Sequence, residues 1–522
     1  MKSKEYNIAL DCVDKNGQSL HNKHKPALIY VKEGSAPVKL NFANVEGLTH
    51  RMANAFRNLG LEKGQRIVLR LQNCPEFPIT FLAAIKAGLI PIPTSPLLTW
   101  KELKFILEDS EAASLIMSDD LIPDEIEKDK PDSLKQSIAL SPQKEQIRKG
   151  FLRWQDLLKN SAPEFTTIPT LGEDPAFWLY TSGTEGKPKA VIHAHRSIPA
   201  HDARAKLWQD LRFNDVIFNT SSLHWSYALT SGLLDLWRHG LPTVIYQGHL
   251  SAEKICHLIK HFGVTTFMSV PGIYHRLVEY LENNDAKKYF SQVRVCNSAG
   301  EKLTEEVRKK FKELTGLEIY EGLGMTEHSV YLCQRVSEEI IPHSCGKPIP
   351  DQKISIVDEL GNELPAGTPG ILASHRSCPG LMLGYHQRPD EETKYFSIDY
   401  FLSGDLAQQD EEGNFFFLGR RDDILTAGGY RISPLEIEVA LNEIPDISES
   451  AVVDKELIAG KTSLAAYLVL DKECSDPEAK IQEIRSALKD SLASYKIPKE
   501  FYFVESLPKT SNGKIQRKLL RD

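Results

Sequence analysis

Between residues 50 and 120 the hydrophobic pattern switches repeatedly between two periods, and few folds accept such a pattern. In "RMANAFRNLGLEKG", Met52, Ala55, Phe56 and Leu59 share one face at helical spacing, and Gly60 supplies a stop. "QRIVLRL" then reads as a buried strand, "PEFPITFLAAIKAG" as an apolar helix and "LIPIPT" as a short strand. "WKELKFILEDSEA" followed by "SLIMSD" repeats the unit. Strands that alternate with helices in this way form a mainly parallel sheet covered by helices. The expected class is α/β. The charged stretch from Pro123 to Lys149 reads as a surface excursion.

Near residue 420 the pattern changes. "EEGNFFFLGRRDD" ends in a dense charge cluster, and beyond it "SLAAYLVL" and "KEFYFVE" read as strands flanking the helix "EAKIQEIRSALKDSLASY". Ile481, Ile484 and Leu488 share one face of that helix. The boundary is placed at Arg421 to Asp423. It leaves a large N-terminal domain of helix-covered sheets, residues 1–421, and a small mobile α+β C-terminal domain, residues 422–522.

Composition excludes several classes of function. A net charge of −8 argues against a broad surface for nucleic acid or anionic membrane, so an anionic ligand must be held by local clusters. The eight cysteines are scattered without C-x-x-C pairs, as expected of free thiols in a reducing compartment. No apolar run resembles a signal peptide or a membrane span, which makes a cytoplasmic protein the expectation.

One stretch points to chemistry. "YTSGTEGKPKA", Tyr180 to Ala190, packs hydroxyls, glycines and lysines into eleven residues. Such a loop lets backbone N–H groups approach a phosphate while lysines neutralise it. A solvated hairpin turn has the same composition. A Walker loop does not fit, because only Thr184 and Glu185 separate Gly183 from Gly186. The dinucleotide fingerprint fails as well, since Gly322-Leu323-Gly324 lacks its third glycine.

Four further stretches decide between phosphate and plain turn. "YEGLGMTEH" reads as a glycine-rich turn presenting Thr326 beside Glu327, a pair suited to a phosphate oxygen and its Mg2+. "YFLSGDLAQQDEEGNFFFLGRRDD" places Asp405 after a glycine and Arg420 at a strand end; a carboxylate there suits the vicinal hydroxyls of a ribose. "TAGGYRISPLEIE" carries a glycine pair before Arg431, and "LPKTSNGKIQRKLL" ends the chain with Lys514 in a Gly-Lys turn.

In this order and spacing the five motifs closely resemble the adenylate-forming superfamily of acyl-CoA synthetases, carrier-protein adenylation domains and luciferases. The resemblance runs from "RMANAFRNLG" to "GKIQRKLL" and includes "VPGIYHRL", "NSAGEKL" and "GLMLGYHQRPDEE". "FWLYTSGTEGKPKAVIHAH" and "GLGMTE" look most like benzoate-type and medium-chain acyl-CoA ligases.

The resemblance implies a ligase that joins a small-molecule carboxylic acid to ATP and then to coenzyme A. By it, Thr181, Ser182, Gly183, Thr184 and Lys189 line the pyrophosphate loop. Thr326 contacts the α-phosphate and Glu327 holds Mg2+. Gly300, Glu301, Lys302 and the segment Glu321, Gly322, Leu323 border adenine, Asp405 and Arg420 hold ribose, and Lys514 bridges carboxylate and phosphate. His224, Trp225 and Tyr227 fall in the acyl-pocket segment. The small domain turns about a hinge at Asp422, withdrawing Lys514 and bringing Gly429 and Arg431 to the thiol tunnel. A carrier protein in place of coenzyme A, or an adenylate-binding sensor without catalysis, are the rival readings.

Three positions depart from the family pattern, Glu185, Ala190 and Leu323, and Ala190 replaces a usual glycine. Glu185 stands where threonine is usual, and a carboxylate about 5 Å from a phosphate charge would cost roughly 3 kcal/mol at an effective dielectric near 20. Glu185 is therefore expected to point outward. Leu323 replaces an aromatic residue at the adenine edge. The pair His193 and His195 lacks the company of a metal site, Cys296 reads as a buried apolar residue, and no acid accompanies His224 to bind an amino-acid ammonium.

Overall fold

The computed structural model describes residues 4–141, 147–182, 188–301, 303–420, 425–427, 430–432, 434–458, 461–470, 476–508 and 515–521. The chain divides into two compact units. One comprises Met1–Pro96, Ser110–Leu179 and Ala190–Gly419; the other comprises Leu97–Asp109, Tyr180–Lys189 and Arg420–Asp522.

The alternating segment of the sequence builds a five-stranded sheet in the first unit. Its order is Ile90–Pro93, Arg66–Arg70, Ser114–Ser118, Gln136–Leu140 and Leu152–Arg153, and every neighbouring pair is parallel. Ile67, Val68 and Leu69 are fully buried in its interior. The helix Phe42–Asn58 begins in a capping box between Asn41 and Asn44 and buries Met52, Ala55 and Phe56, the face expected from their spacing. One expectation fails. Residues 123–149 are not a surface excursion throughout, because Gln136–Leu140 is a strand with four buried residues between two partners. Its apolar core, Ile138 to Leu140, is too short to show a period among the surrounding charges.

A nine-stranded sheet forms the larger part of the unit. From Pro26–Lys32 through Thr243–Gln247, Ile217–Asn219, Thr266–Ser269 and Val295–Ala299 to Ile319–Met325 the neighbours run parallel. Antiparallel strands close both edges: Val38–Asn41 on one side, Ser329–Cys333 and Lys347–Pro348 on the other. Helices Ala252–Phe262, Pro271–Leu281 and Glu305–Thr315 bury apolar stripes that include Ile255, Leu277 and Phe311. A four-stranded sheet, Ile354–Val357, Gly370–His375, Tyr400–Gln409 and Phe415–Arg420, follows in sequence. The strands on either side of residues 183–187 in sequence, Pro175–Ser182 and Pro188–Ala194, join Gly384–Tyr385 in a three-stranded sheet. The architecture is α/β.

In the second unit Ile447–Ile458 and Lys461–Leu470 form an antiparallel hairpin, and Glu500–Phe503 adds a parallel edge. Helices Pro434–Asn442 and Pro477–Ser491 contribute Ile437, Leu441, Ile484 and Leu488 to the core of this α+β layer. The helix Trp100–Asp109 belongs to this unit, where Glu102 receives a 2.8 Å hydrogen bond from the buried ammonium of Lys496.

Candidate active site

Thr326 and Glu327 lie in the tight turn between the strands Ile319–Met325 and Ser329–Cys333. The glycines before them are not turn residues, as the sequence implied, but members of a strand. They are needed for close approach. A Cβ at 322 would stand 2.8 Å from Trp208 Cζ2 and from Val330 Cγ1, and one at 324 would overlap the Ser329 carbonyl. The hairpin therefore closes with Thr326 and Glu327 at its tip.

Three consecutive residues at this turn, Glu327 to Ser329, are held from outside it. Tyr385 donates to Glu327 Oε1 across 2.9 Å. His328 meets Ser374 Oγ at 2.8 Å and Gln352 Oε1 at 2.7 Å. Ser329, in the left-handed region with φ 57°, receives Arg204 Nη1 at 2.8 Å. Burial lowers His193 to about 4, aided by neighbouring His201, and lowers His328 to about 3, so both rings are neutral at pH 7. Burial, then the Glu327 charge, raise Tyr385 far above the ordinary phenol, which keeps its hydroxyl a donor.

The described adenine-edge candidates meet where the strand Val295–Ala299 ends against the middle of its parallel neighbour Ile319–Met325. Ser298 pairs with Glu321 and Ala299 with Gly322, so Gly300, at φ 98°, and Glu301 leave the sheet beside Leu323. The Glu321 carboxylate receives Leu303 N at 2.9 Å and pairs with Arg308. Its orientation is set by the protein itself. Leu323 is partly buried against the cluster that contains Met325 and Tyr331.

His224 and Trp225 precede the short helix Ser226–Leu229, which carries Tyr227. The Tyr227 ring lies 6.0 Å from Trp208, whose Nε1 donates to Tyr320 O at 2.9 Å. Trp208 thus connects the expected acyl segment to the strand leading to Thr326. Burial lowers His224 to about 3, leaving it neutral. Asp405, 4% exposed, occupies the strand Tyr400–Gln409 after Gly404, whose φ is 77°.

Thr181 is the penultimate residue of the strand Pro175–Ser182, and Lys189 is buried in Pro188–Ala194. Arg420 closes Phe415–Arg420, and Arg431 is central in Tyr430–Ile432. The side chains of Ser182, Arg420 and Arg431, together with Gly183, Thr184, Glu185, Lys302, Asp422, Gly429 and Lys514, lie outside the described residues.

His193 and His195 are otherwise engaged. His193 stacks on Phe177 with ring centroids 4.7 Å apart, and His195 Nδ1 accepts from Ile8 N at 3.2 Å. Among the described residues one group, Asp14, Glu46 and His50, could converge on a metal, but the buried ammonium of Lys86 already pairs with Asp14. Cys296 is fully buried, and its thiol is raised by that burial, as an apolar filler requires. Three neighbours of the site carried no role in the sequence: Tyr385, Trp208 and Arg204. Tyr385 lies within a quoted motif; the other two sit far from any motif.

Comparison with known proteins agrees with this geometry. The AMP-binding enzyme profile matches residues 17–386, and that of the AMP-binding enzyme C-terminal domain matches residues 436–514. The chain is 32% identical over 537 residues to acyl-coenzyme A synthetase ACSM4, mitochondrial, of Mus musculus, covering 99% of this chain and 90% of the relative. It is 34% identical over 531 residues to ACSM5, mitochondrial, of Homo sapiens, with the same coverage. A benzoate CoA ligase structure from Burkholderia xenovorans LB400 superposes with a TM-score of 0.72 at 28% identity, covering 99% of this chain and all of the other (100%). With both of its parts matched and full-length relatives above 30% identity, the chain belongs to the AMP-binding enzyme family.

Proposed function

We infer that this protein is an AMP-forming acid–thiol ligase that converts a carboxylic acid, ATP and coenzyme A into acyl-CoA, AMP and pyrophosphate. The observation that carries the reading is the Thr326–Glu327 turn, held by residues on either side at the C-terminal end of the strand Ile319–Met325. A carboxylate is a poor electrophile. One of its oxygens attacks the α-phosphorus, the bond to the bridging oxygen breaks, and pyrophosphate leaves. The thiol sulfur then attacks the acyl carbon, gives up its proton, and expels AMP. In the first step two anions meet, and preorganised positive groups and hydrogen-bond donors offset their repulsion.

We assign Lys189, Thr181, Ser182, Gly183 and Thr184 to the β- and γ-phosphates, Thr326 to the α-phosphate and Lys514 to the reacting carboxylate. Gly300, Glu301, Lys302 and the Glu321–Leu323 backbone border adenine, and Asp405 and Arg420 hold the ribose. Glu327 fits the Mg2+ that accompanies ATP, because it offers hard carboxylate oxygens in a fixed orientation set by Tyr385. Bound there, the ion would neutralise phosphate charge. The C-terminal segment turns about Asp422 between the two steps, exchanging Lys514 for Gly429 and Arg431.

His224, Trp225 and Tyr227 line the acyl pocket. Neutral His224, the Tyr227 ring and the absence of an acid between Asn219 and Leu234 favour an aryl or short-to-medium acyl group over an amino acid. No helix among the described residues is long and apolar enough to cross a membrane. The seven cysteines described are free, which supports a reducing compartment such as the cytoplasm, although the relatives above are named as mitochondrial. The test is acid-dependent ATP–pyrophosphate exchange, followed by acyl-CoA release, across butyrate, hexanoate, octanoate and benzoate. Exchange with none of them would count against this pocket reading, and ADP as product would count against the reaction.

A further inference from the structure

Beneath the Thr326–Glu327 turn runs a largely buried network that the reaction itself does not use. Arg204, on the helix Asp202–Leu207, is completely buried. Its Nε lies 3.2 Å from Asp235 Oδ2 and its Nη2 pairs with the same carboxylate. Its Nη1 donates to Ser329 Oγ at 2.8 Å and reaches Val330 O at 3.4 Å. Ser329 Oγ also lies 2.8 Å from Thr230 Oγ1. Thr230 spends its own proton on the Ser226 carbonyl at 2.8 Å, so in the Ser329 contact the serine hydroxyl donates.

The hydrogen bonds therefore run in one direction, from Arg204 to Ser329, to Thr230, to the backbone of Ser226. That last residue precedes Tyr227. Thr230–Leu234 is a π-helical turn between Ser226–Leu229 and Asp235–Arg238, so one nearly continuous helix presents Tyr227, Thr230 and Asp235. Ser329 follows Glu327 by two residues in a left-handed conformation. A buried ion pair adds little net stability, because desolvation cancels most of the Coulombic gain. What this pair supplies is geometry: a rigid guanidinium fork grips the acyl-side helix with one edge and the turn with the other.

We propose that Arg204 is a positioning residue for adenylation, fixing the Thr326–Glu327 turn relative to the helix that bears Tyr227 through Ser329 and Thr230. The proposal rests on the assignment of that turn to the phosphates and of Tyr227 to the acyl pocket. Its consequence is that bound acid and bound ATP are held in register by a link that touches neither.

The test compares Arg204→Lys, Thr230→Val and Thr230→Ser with the wild type. Lysine keeps a charge against Asp235 but loses the fork to Ser329. Valine keeps the shape of threonine without its hydroxyl, and serine keeps the hydroxyl. The readouts are acid-dependent ATP–pyrophosphate exchange, with the fastest of butyrate, hexanoate, octanoate and benzoate, and the thermal midpoint. Arg204→Lys and Thr230→Val should lower kcat for exchange about tenfold or more while the KM for ATP stays within about threefold. Thr230→Ser should return to within about threefold of the wild-type kcat. Wild-type kcat in Arg204→Lys and Thr230→Val, or a Thr230→Ser variant as slow as Thr230→Val, would overturn the proposal. A wild type without acid-dependent exchange would instead overturn the ligase reading, before any variant is compared.

Discussion

Tyr385 and Glu327, 58 positions apart, are joined by a 2.9 Å hydrogen bond that aims the carboxylate at the tip of the hairpin. Tyr385 belongs to the strand that pairs with Val191 and Ile192, directly after Lys189 and Ala190. One phenol therefore fixes the proposed magnesium ligand from a strand paired with Pro188–Ala194, the strand that carries Lys189.

The first prediction concerns this bond. Hydrogen bonds to charged groups contribute about 1.5–3 kcal/mol, so Tyr385→Phe should slow exchange by roughly 10- to 100-fold if Glu327 must be aimed. It should also raise the Mg2+ concentration needed for half-maximal rate. A magnesium titration of both proteins checks this, and an unchanged curve with an unchanged rate would remove Tyr385 from the site.

The second prediction separates the two strand glycines. A methyl at 322 meets the edge of Trp208 and a valine methyl, whereas one at 324 meets the Ser329 backbone, which cannot rotate away. Gly322→Ala should cost about 1–3 kcal/mol of stability and leave measurable exchange. Gly324→Ala should displace the turn and lose exchange by about 100-fold or more. Equal exchange in the two variants would show that turn position matters little.

Much of this was legible in advance. The alternating periods of residues 50–120 specify parallel pairing, and each expected element there is found. The strand Gln136–Leu140 was hidden because its three apolar residues sit inside a charged stretch. The motifs single out Thr326, Glu327 and Asp405 for their proposed roles, since the chemistry proposed for them is local in sequence. Arg204 and Trp208 were not legible. Their importance comes from partners about 30 to 126 residues away, and no period or motif records such a meeting.

Buried histidines set the third prediction. His193, His195 and His328 are lowered by burial to about 4, 4 and 3, while an unfolded chain titrates near 6.5. Below pH 6.5 the unfolded chain binds protons that the folded one refuses. Stability is thus full above about pH 6.5 and falls on acidification toward pH 4, by up to about 1.4 kcal/mol per pH unit for each histidine. The thermal midpoint should drop steeply between pH 6.5 and 5. A flat profile there would mean that these rings are solvated or already charged.

The fourth prediction divides the half-reactions. Lys514→Ala should reduce adenylation by at least about two orders of magnitude, yet spare thioester formation from supplied acyl adenylate. Gly429→Leu should do the reverse, by filling the space proposed for the thiol arm; Gly429→Ala controls for backbone strain. Exchange and acyl-CoA release, measured side by side, decide. Parallel losses in both steps for both variants would contradict an alternation of two sites.

The acyl adenylate itself can be followed with a carboxylic acid labelled with 18O in both oxygens, supplied with ATP, Mg2+ and coenzyme A. One labelled oxygen attacks the α-phosphorus and stays with it when the thiol takes the acyl group. Mass spectrometry of the products should therefore find one 18O in AMP and none in pyrophosphate. Label in orthophosphate with ADP as the nucleotide product, or unlabelled AMP beside newly formed acyl-CoA, would contradict adenylate formation.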